Sequence, residues 1–273
     1  MPDARRTALL ALTTVVAFGT GYSVLYKTYL DTSNPLLAHL PHPLGQAHYF
    51  ASKQNPLNVH FIKKAWGWTS GVFLLSWLTS PPSIRTKERL AQWLLATASW
   101  LVFTSWFFGP SLIERIIVAS GGECVIRIPG ADHVVVPHEL CYTKTTVTSA
   151  SSSFAPQVQH MPPEWAVMPR LFRGHDVSGH IFLLTMSILF LVDQLRPSLH
   201  IRREGQWSPL HHIAVTANYL LIAIWFLATY TTSIYFHSPM EKASGFVLGI
   251  LCFTITQLPF IKIRLSKQKS HTN

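Results

Sequence analysis

Six apolar stretches without charge clusters punctuate the chain, each bounded by a charged or proline-rich turn. They fall at about residues 7–26, 65–80, 90–108, 177–195, 209–236 and 243–261. A bilayer-crossing helix needs about 20 mostly apolar residues. The pattern therefore predicts an all-α polytopic membrane protein with six transmembrane helices in one domain, 1–273. Arg5 and Arg6 precede the first stretch, so a signal peptide competes with a helix there. The apolar run is long and lacks an A-x-A-like cleavage site, which favours a retained helix. Between the third and fourth spans, residues 111–174 are rich in Ser, Thr, Pro and Gly. A long loop is expected there, with at most one hairpin near Val134-Val135-Val136.

Basic residues gather in alternate connections: Arg5 and Arg6, then Arg85, Lys87 and Arg89, then Arg196, Arg202 and Arg203, then Lys262, Arg264, Lys267 and Lys269. With six spans all four clusters share one side, which the positive-inside rule makes cytosolic. Both termini are then cytosolic, and the 111–174 loop faces the opposite compartment. Lys63 and Lys64 are the clearest exceptions.

Composition agrees with a bilayer environment. Hydrophobic residues make up 48% of the 273 and charged ones 12%, against about a quarter charged in soluble domains. The net charge of +10 sits in short clusters between apolar spans. Nucleic-acid binding needs a contiguous basic face, so no such partner is expected. The three cysteines show no C-x-x-C spacing, which argues against a zinc site. Cys124 and Cys141 share the long loop and could pair in an oxidising lumen, or both could be free.

One polar stretch stands out: Gly174-His175-Asp176-Val177-Ser178-Gly179-His180, which runs straight into the fourth span. Ionisable groups at membrane depth are costly and mark functional sites. A helix N-terminus also offers backbone N–H groups and partial positive charge to a phosphate. Counting spans puts this stretch on the same side as the turn between spans five and six, which holds His237, Glu241 and Lys242. The two constellations can meet. Histidine serves as nucleophile or as acid–base group near neutral pH. Asp176 precedes His180 by one helical turn and Glu241 follows His237 by one, so either carboxylate could orient an imidazole or merely cap a helix. Most of the other histidines, His39, His42, His48, His133, His138, His160, His200, His211 and His212, are expected to be structural or interfacial. Gly245-x-x-x-Gly249 permits close helix packing.

Four segments resemble the fat storage-inducing transmembrane (FIT) family: Asn58 to Thr69, with Lys63-Lys64-Ala65-Trp66; Trp100 to Phe107 with Glu114; Gly174 to Leu184; and Tyr235-Phe236-His237 with Lys242. The resemblance implies six spans in the endoplasmic reticulum membrane and a distant similarity to lipid phosphate phosphatases. It implies an acyl-CoA diphosphatase that splits the pyrophosphate of fatty acyl-CoA with its active site facing the lumen, and a role in lipid-droplet formation. It makes His180 and His237 the catalytic pair, with His237 as nucleophile and His180 as acid. Ser178 and Gly179 would hold phosphate oxygens, and Asp176 would join them. The phosphatases carry a Ser-Arg pair before their last histidine; here Thr231 and Thr232 stand in that neighbourhood. Lys63, Lys64, Arg173 and Lys242 remain as candidate phosphate cations, with Glu241 as a supporting carboxylate. No cofactor or metal is implied. Two alternatives stay open: a non-enzymatic scaffold that binds triacylglycerol or diacylglycerol, and a phosphatase acting on phosphatidate.

Overall fold

A computed structural model describes residues 3–30, 41–105, 110–127, 133–148, 166–201 and 207–258. Arg202, Arg203, Lys262, Arg264, Lys267, Lys269, His39 and His160 lie outside the described residues, as do the ends of the third and sixth predicted spans. The chain divides into two compact units.

The first unit comprises residues 1–30, 41–100 and 178–273 and is helical. Its helices are α1 (Ala4–Leu25), α2 (Ala65–Thr79), and α3 (Lys87–Thr104), whose last turn passes into the second unit. To keep chain order, α4 and α5 are the two short helices of the second unit, Leu112–Ala119 and His138–Thr143. The first unit resumes with α6 (Gly179–Ile201), α7 (Pro209–Tyr235) and α8 (Pro239–Ile255).

Helix α6 is the centre. It packs against α1, α2, α7 and α8, and Ile181, Phe182, Leu184, Met186, Ile188, Phe190 and Leu191 are fully buried. A helix that is apolar all round has no face to offer water and ends inside. The surrounding helices are apolar outward as well: Leu10, Phe18, Leu210, Leu220, Val247 and Leu251 are exposed. That arrangement suits a lipid solvent, where backbone groups must be satisfied within each helix. By length and composition α1, α6 and α7 can cross a membrane. The other three long helices fall short of that criterion: α2 has 15 residues, α8 has 17, and α3 opens on Lys87, Glu88 and Arg89.

The pattern of basic residues predicts that the fourth span ends at 195 and a turn follows. Instead α6 continues through Pro197 to Ile201. A proline inside a helix removes one backbone bond. The carbonyl that loses its helical donor is four residues back, at Asp193, and beside it Arg89 Nη2 donates to the Gln194 carbonyl at 3.0 Å.

The second unit comprises residues 31–40 and 101–177. More than a hairpin forms here. Strands β1 (Glu123–Arg127), β2 (His133–Val135) and β3 (Arg170–Phe172) make an antiparallel sheet in the order β2-β1-β3. Cys124, Ile126, Val136, Cys141 and Val147 form its core. A disulfide joins Cys124 to Cys141 and so fastens β1 to α5.

Candidate active site

The start of α6 is fixed by Ser178. Its fully buried Oγ accepts from the Ile181 N–H at 3.3 Å, capping the helix. Its own N–H donates to the Glu241 carbonyl at 3.1 Å, which ties α6 to the first turn of α8. The helices come this close because α8 presents glycine. A Cβ at Gly245 would lie 2.5 Å from the Ser178 carbonyl, and one at Gly249 would lie 2.7 Å from the Phe182 carbonyl. Gly179 is different: a Cβ there would meet nothing within 4 Å. Packing does not demand this glycine, and the space beside it is open. His180 follows, half-buried.

The turn between α7 and α8 carries His237 with φ +63, a left-handed backbone that side chains rarely adopt. Such a conformation persists only when its surroundings hold it. The His237 N–H donates to the Leu30 carbonyl at 3.1 Å, and the Leu30 N–H donates to the Tyr235 carbonyl at 3.0 Å. Thr28 Oγ1 donates to the Ile234 carbonyl at 2.8 Å. The chain after α1 thus forms a short splint along residues 234–237. His42 adds a further tie. Its Nδ1 accepts from the Leu44 N–H at 3.0 Å, so Nε2 carries the proton and donates to the Tyr235 carbonyl at 2.8 Å.

Glu241 completes the turn. A capping box with Ser238 opens α8: the Ser238 N–H donates to Glu241 Oε2 at 2.8 Å and the Glu241 N–H to Ser238 Oγ at 3.4 Å. The same carboxylate oxygen stands 3.3 Å from His237 Nδ1. A proton held on Nδ1 by that carboxylate leaves Nε2 with its lone pair. The rings of His180 and His237 meet edge to face with centroids 6.2 Å apart. The two constellations that lie 57 positions apart in sequence are neighbours in one site.

The other predicted site residues are placed as follows. Lys242 is fully buried. Its Nζ donates to Ser23 Oγ at 2.8 Å and to the Ser233 carbonyl at 2.6 Å, and lies 5.3 Å from the centroid of the Tyr29 ring. These contacts join α1, α7 and α8. Lys63 and Lys64 are exposed in the short turn Ile62–Lys64, which packs against α6. Asp176 and Arg173 belong to the second unit; the Arg173 guanidinium lies 5.4 Å from the centre of the Phe172 ring. Leu30, His42, Ser23 and Ser233 had no signal of their own in the sequence, because each acts through a contact hundreds of positions away or through its backbone.

Comparison with known proteins gives this architecture a family. The family model for fat storage-inducing transmembrane protein matches residues 46–217 and 201–256, and the chain belongs to this FIT family of membrane proteins. Its similar relatives include the acyl-coenzyme A diphosphatase fit1 of Schizosaccharomyces pombe, 30% identical over 76% of this chain and 72% of that one. The acyl-coenzyme A diphosphatase FITM2 of Danio rerio is 29% identical over 76% of this chain and 72% of its own. That of Homo sapiens is 28% identical over 77% and 71%. No solved structure matches.

Proposed function

We propose that this protein is an acyl-CoA diphosphatase that hydrolyses the pyrophosphate of fatty acyl-CoA to acyl 4′-phosphopantetheine and adenosine 3′,5′-bisphosphate. The observation that carries the reading is the His180–His237 pair, 6.2 Å apart, with the Glu241 carboxylate 3.3 Å from His237 Nδ1. The names of the relatives at 28–30% identity support the same substrate.

In this reading Glu241 holds the Nδ1 proton, and His237 Nε2 attacks one phosphorus of the pyrophosphate. The P–O bond of the anhydride breaks, and His180 gives the leaving phosphate its proton. Water then hydrolyses the phosphohistidine, with His180 now accepting a proton from it. The open space beside Gly179 admits a phosphate oxygen to the N-terminus of α6. Ser178 shapes that terminus. Lys63 and Lys64 supply positive charge from the turn before α2. The six long helices span the endoplasmic reticulum membrane with both termini cytosolic and the site facing the lumen, where the Cys124–Cys141 disulfide is stable. Acyl-CoA turnover there supports lipid-droplet formation, and triacylglycerol or diacylglycerol would share the bilayer around the helices.

Product analysis tests the reaction. Purified protein given oleoyl-CoA should release oleoyl phosphopantetheine and adenosine 3′,5′-bisphosphate in equal amounts. Phosphate release from phosphatidate, with oleoyl-CoA left intact, would assign the site to a lipid phosphatase instead.

A further inference from the structure

A cavity of about 730 Å³ opens at the other end of α6, lined by Arg5 of α1, Arg89 and Gln92 of α3, and Asp193, Gln194 and Arg196 of α6. Asp193 lies 13 residues beyond His180, about 20 Å along a helix that rises about 1.5 Å per residue. The cavity is therefore separate from the histidine pair.

Its charges are arranged around one buried carboxylate. Asp193 is 6% exposed. Its Oδ1 accepts from Arg5 Nε at 2.6 Å and stands 3.5 Å from Arg196 Nη1, while Oδ2 accepts from Gln257 Nε2 at 3.1 Å. Arg89 is also buried and faces Gln194, to which its Nε donates at 2.9 Å. Among the described residues, three guanidinium groups thus line the cavity against two carboxylates, Asp193 and Asp3, the latter accepting from the Arg5 backbone at the start of α1. Among the described residues, Arg5 Nη1 and the Nε and Nη2 groups of Arg196 have no hydrogen-bond acceptor. The Arg5 and Arg196 side chains are 34% and 44% exposed, so these donors are within reach of a ligand. Asp193 gathers the two arginines, and more N–H donors converge than the described residues use. Ala4, Pro197 and Leu199 give the same cavity apolar wall.

We infer that this cavity binds the phosphate headgroup of an anionic phospholipid. Guanidinium forks match phosphate oxygens with paired charge-assisted hydrogen bonds. The apolar wall of the cavity, Ala4, Pro197 and Leu199, gives the attached acyl chains a first surface to lie on. A headgroup here would bridge α1 to α6 at the end of the bundle away from the proposed chemistry.

Native mass spectrometry of the delipidated full-length protein in detergent tests this, with dioleoyl phosphatidate and dioleoyl phosphatidylcholine as probes. Phosphatidate should be retained about tenfold better, and Arg196→Gln should cut that preference about tenfold, the scale of a charge-assisted hydrogen bond. Arg196→Lys should keep part of it, and oleoyl-CoA turnover should be unchanged in both variants, since Arg196 is remote from His180. Equal retention of the two lipids, or an Arg196→Gln variant that keeps the full preference, overturns the inference. Displacement of bound phosphatidate by millimolar inorganic phosphate would assign the cavity to free phosphate and overturn the lipid headgroup.

Discussion

The Nδ1 of His237 stands 3.3 Å from Oε2 of Glu241, one helical turn further along. That oxygen also accepts from the Ser238 N–H, so one buried carboxylate both caps α8 and orients the imidazole. Glu241→Gln separates the two duties. An amide oxygen still accepts from Ser238, but the charge that fixes the His237 tautomer is gone. Oleoyl-CoA turnover should fall about 100-fold with little change in thermal stability. A variant with normal kcat would show that Glu241 only caps the helix.

Lys242 gives the opposite signature. Lys242→Met keeps most of the buried stem and loses the bonds to Ser23 and Ser233. Stability should drop by about 1–3 kcal/mol, while KM for oleoyl-CoA stays the same in the protein that remains folded. A raised KM at unchanged stability would return Lys242 to the phosphate.

Two glycines on facing helices make a matched test. Gly245→Ala puts a methyl group 2.5 Å from the Ser178 carbonyl and should cost about 1–3 kcal/mol as α8 is pushed off α6. Gly179→Ala meets open space and should leave the melting temperature close to wild type. Its turnover should still fall, because the methyl group occupies the place proposed for a phosphate oxygen. Equal stability loss in both variants would contradict the open site.

His42 predicts a pH dependence of stability. Burial, the largest effect, holds its pKa below the ordinary 6.5. The unfolded chain then takes up the proton first, so the contribution of neutral His42 is full above pH 6.5 and is lost as pH falls below that value. Thermal melts between neutral pH and about pH 5 should show a steeper decline for wild type than for His42→Gln. Parallel curves would place the titration elsewhere.

The sequence carried the long helices because their apolar runs are continuous. It also carried the meeting of His180 with His237, since counting spans puts both at one end of the bundle. Where α6 stops was not legible. Pro197 and the basic residues signal a break, and the tie from Arg89 to Gln194 that accompanies the continued helix comes from 105 positions away. The sheet of the second unit was hidden for a similar reason: β1 pairs with β3 across more than 40 intervening residues. The splint beside His237 rests on the backbone of Leu30 and on the imidazole of His42 meeting a backbone carbonyl nearly 200 positions away, neither of which residue identity reveals. The tie from the Lys242 ammonium to the Ser233 carbonyl was hidden as well, because its acceptor is a backbone group on another helix.

The most direct measurement is oleoyl-CoA turnover by purified wild type, His180→Ala and His237→Ala, each shown to be folded by its melting curve. The pair acts as one unit, so each variant should lose at least about 100-fold in kcat. The double variant should be little worse than either alone. Wild-type rates in both single variants would contradict the account.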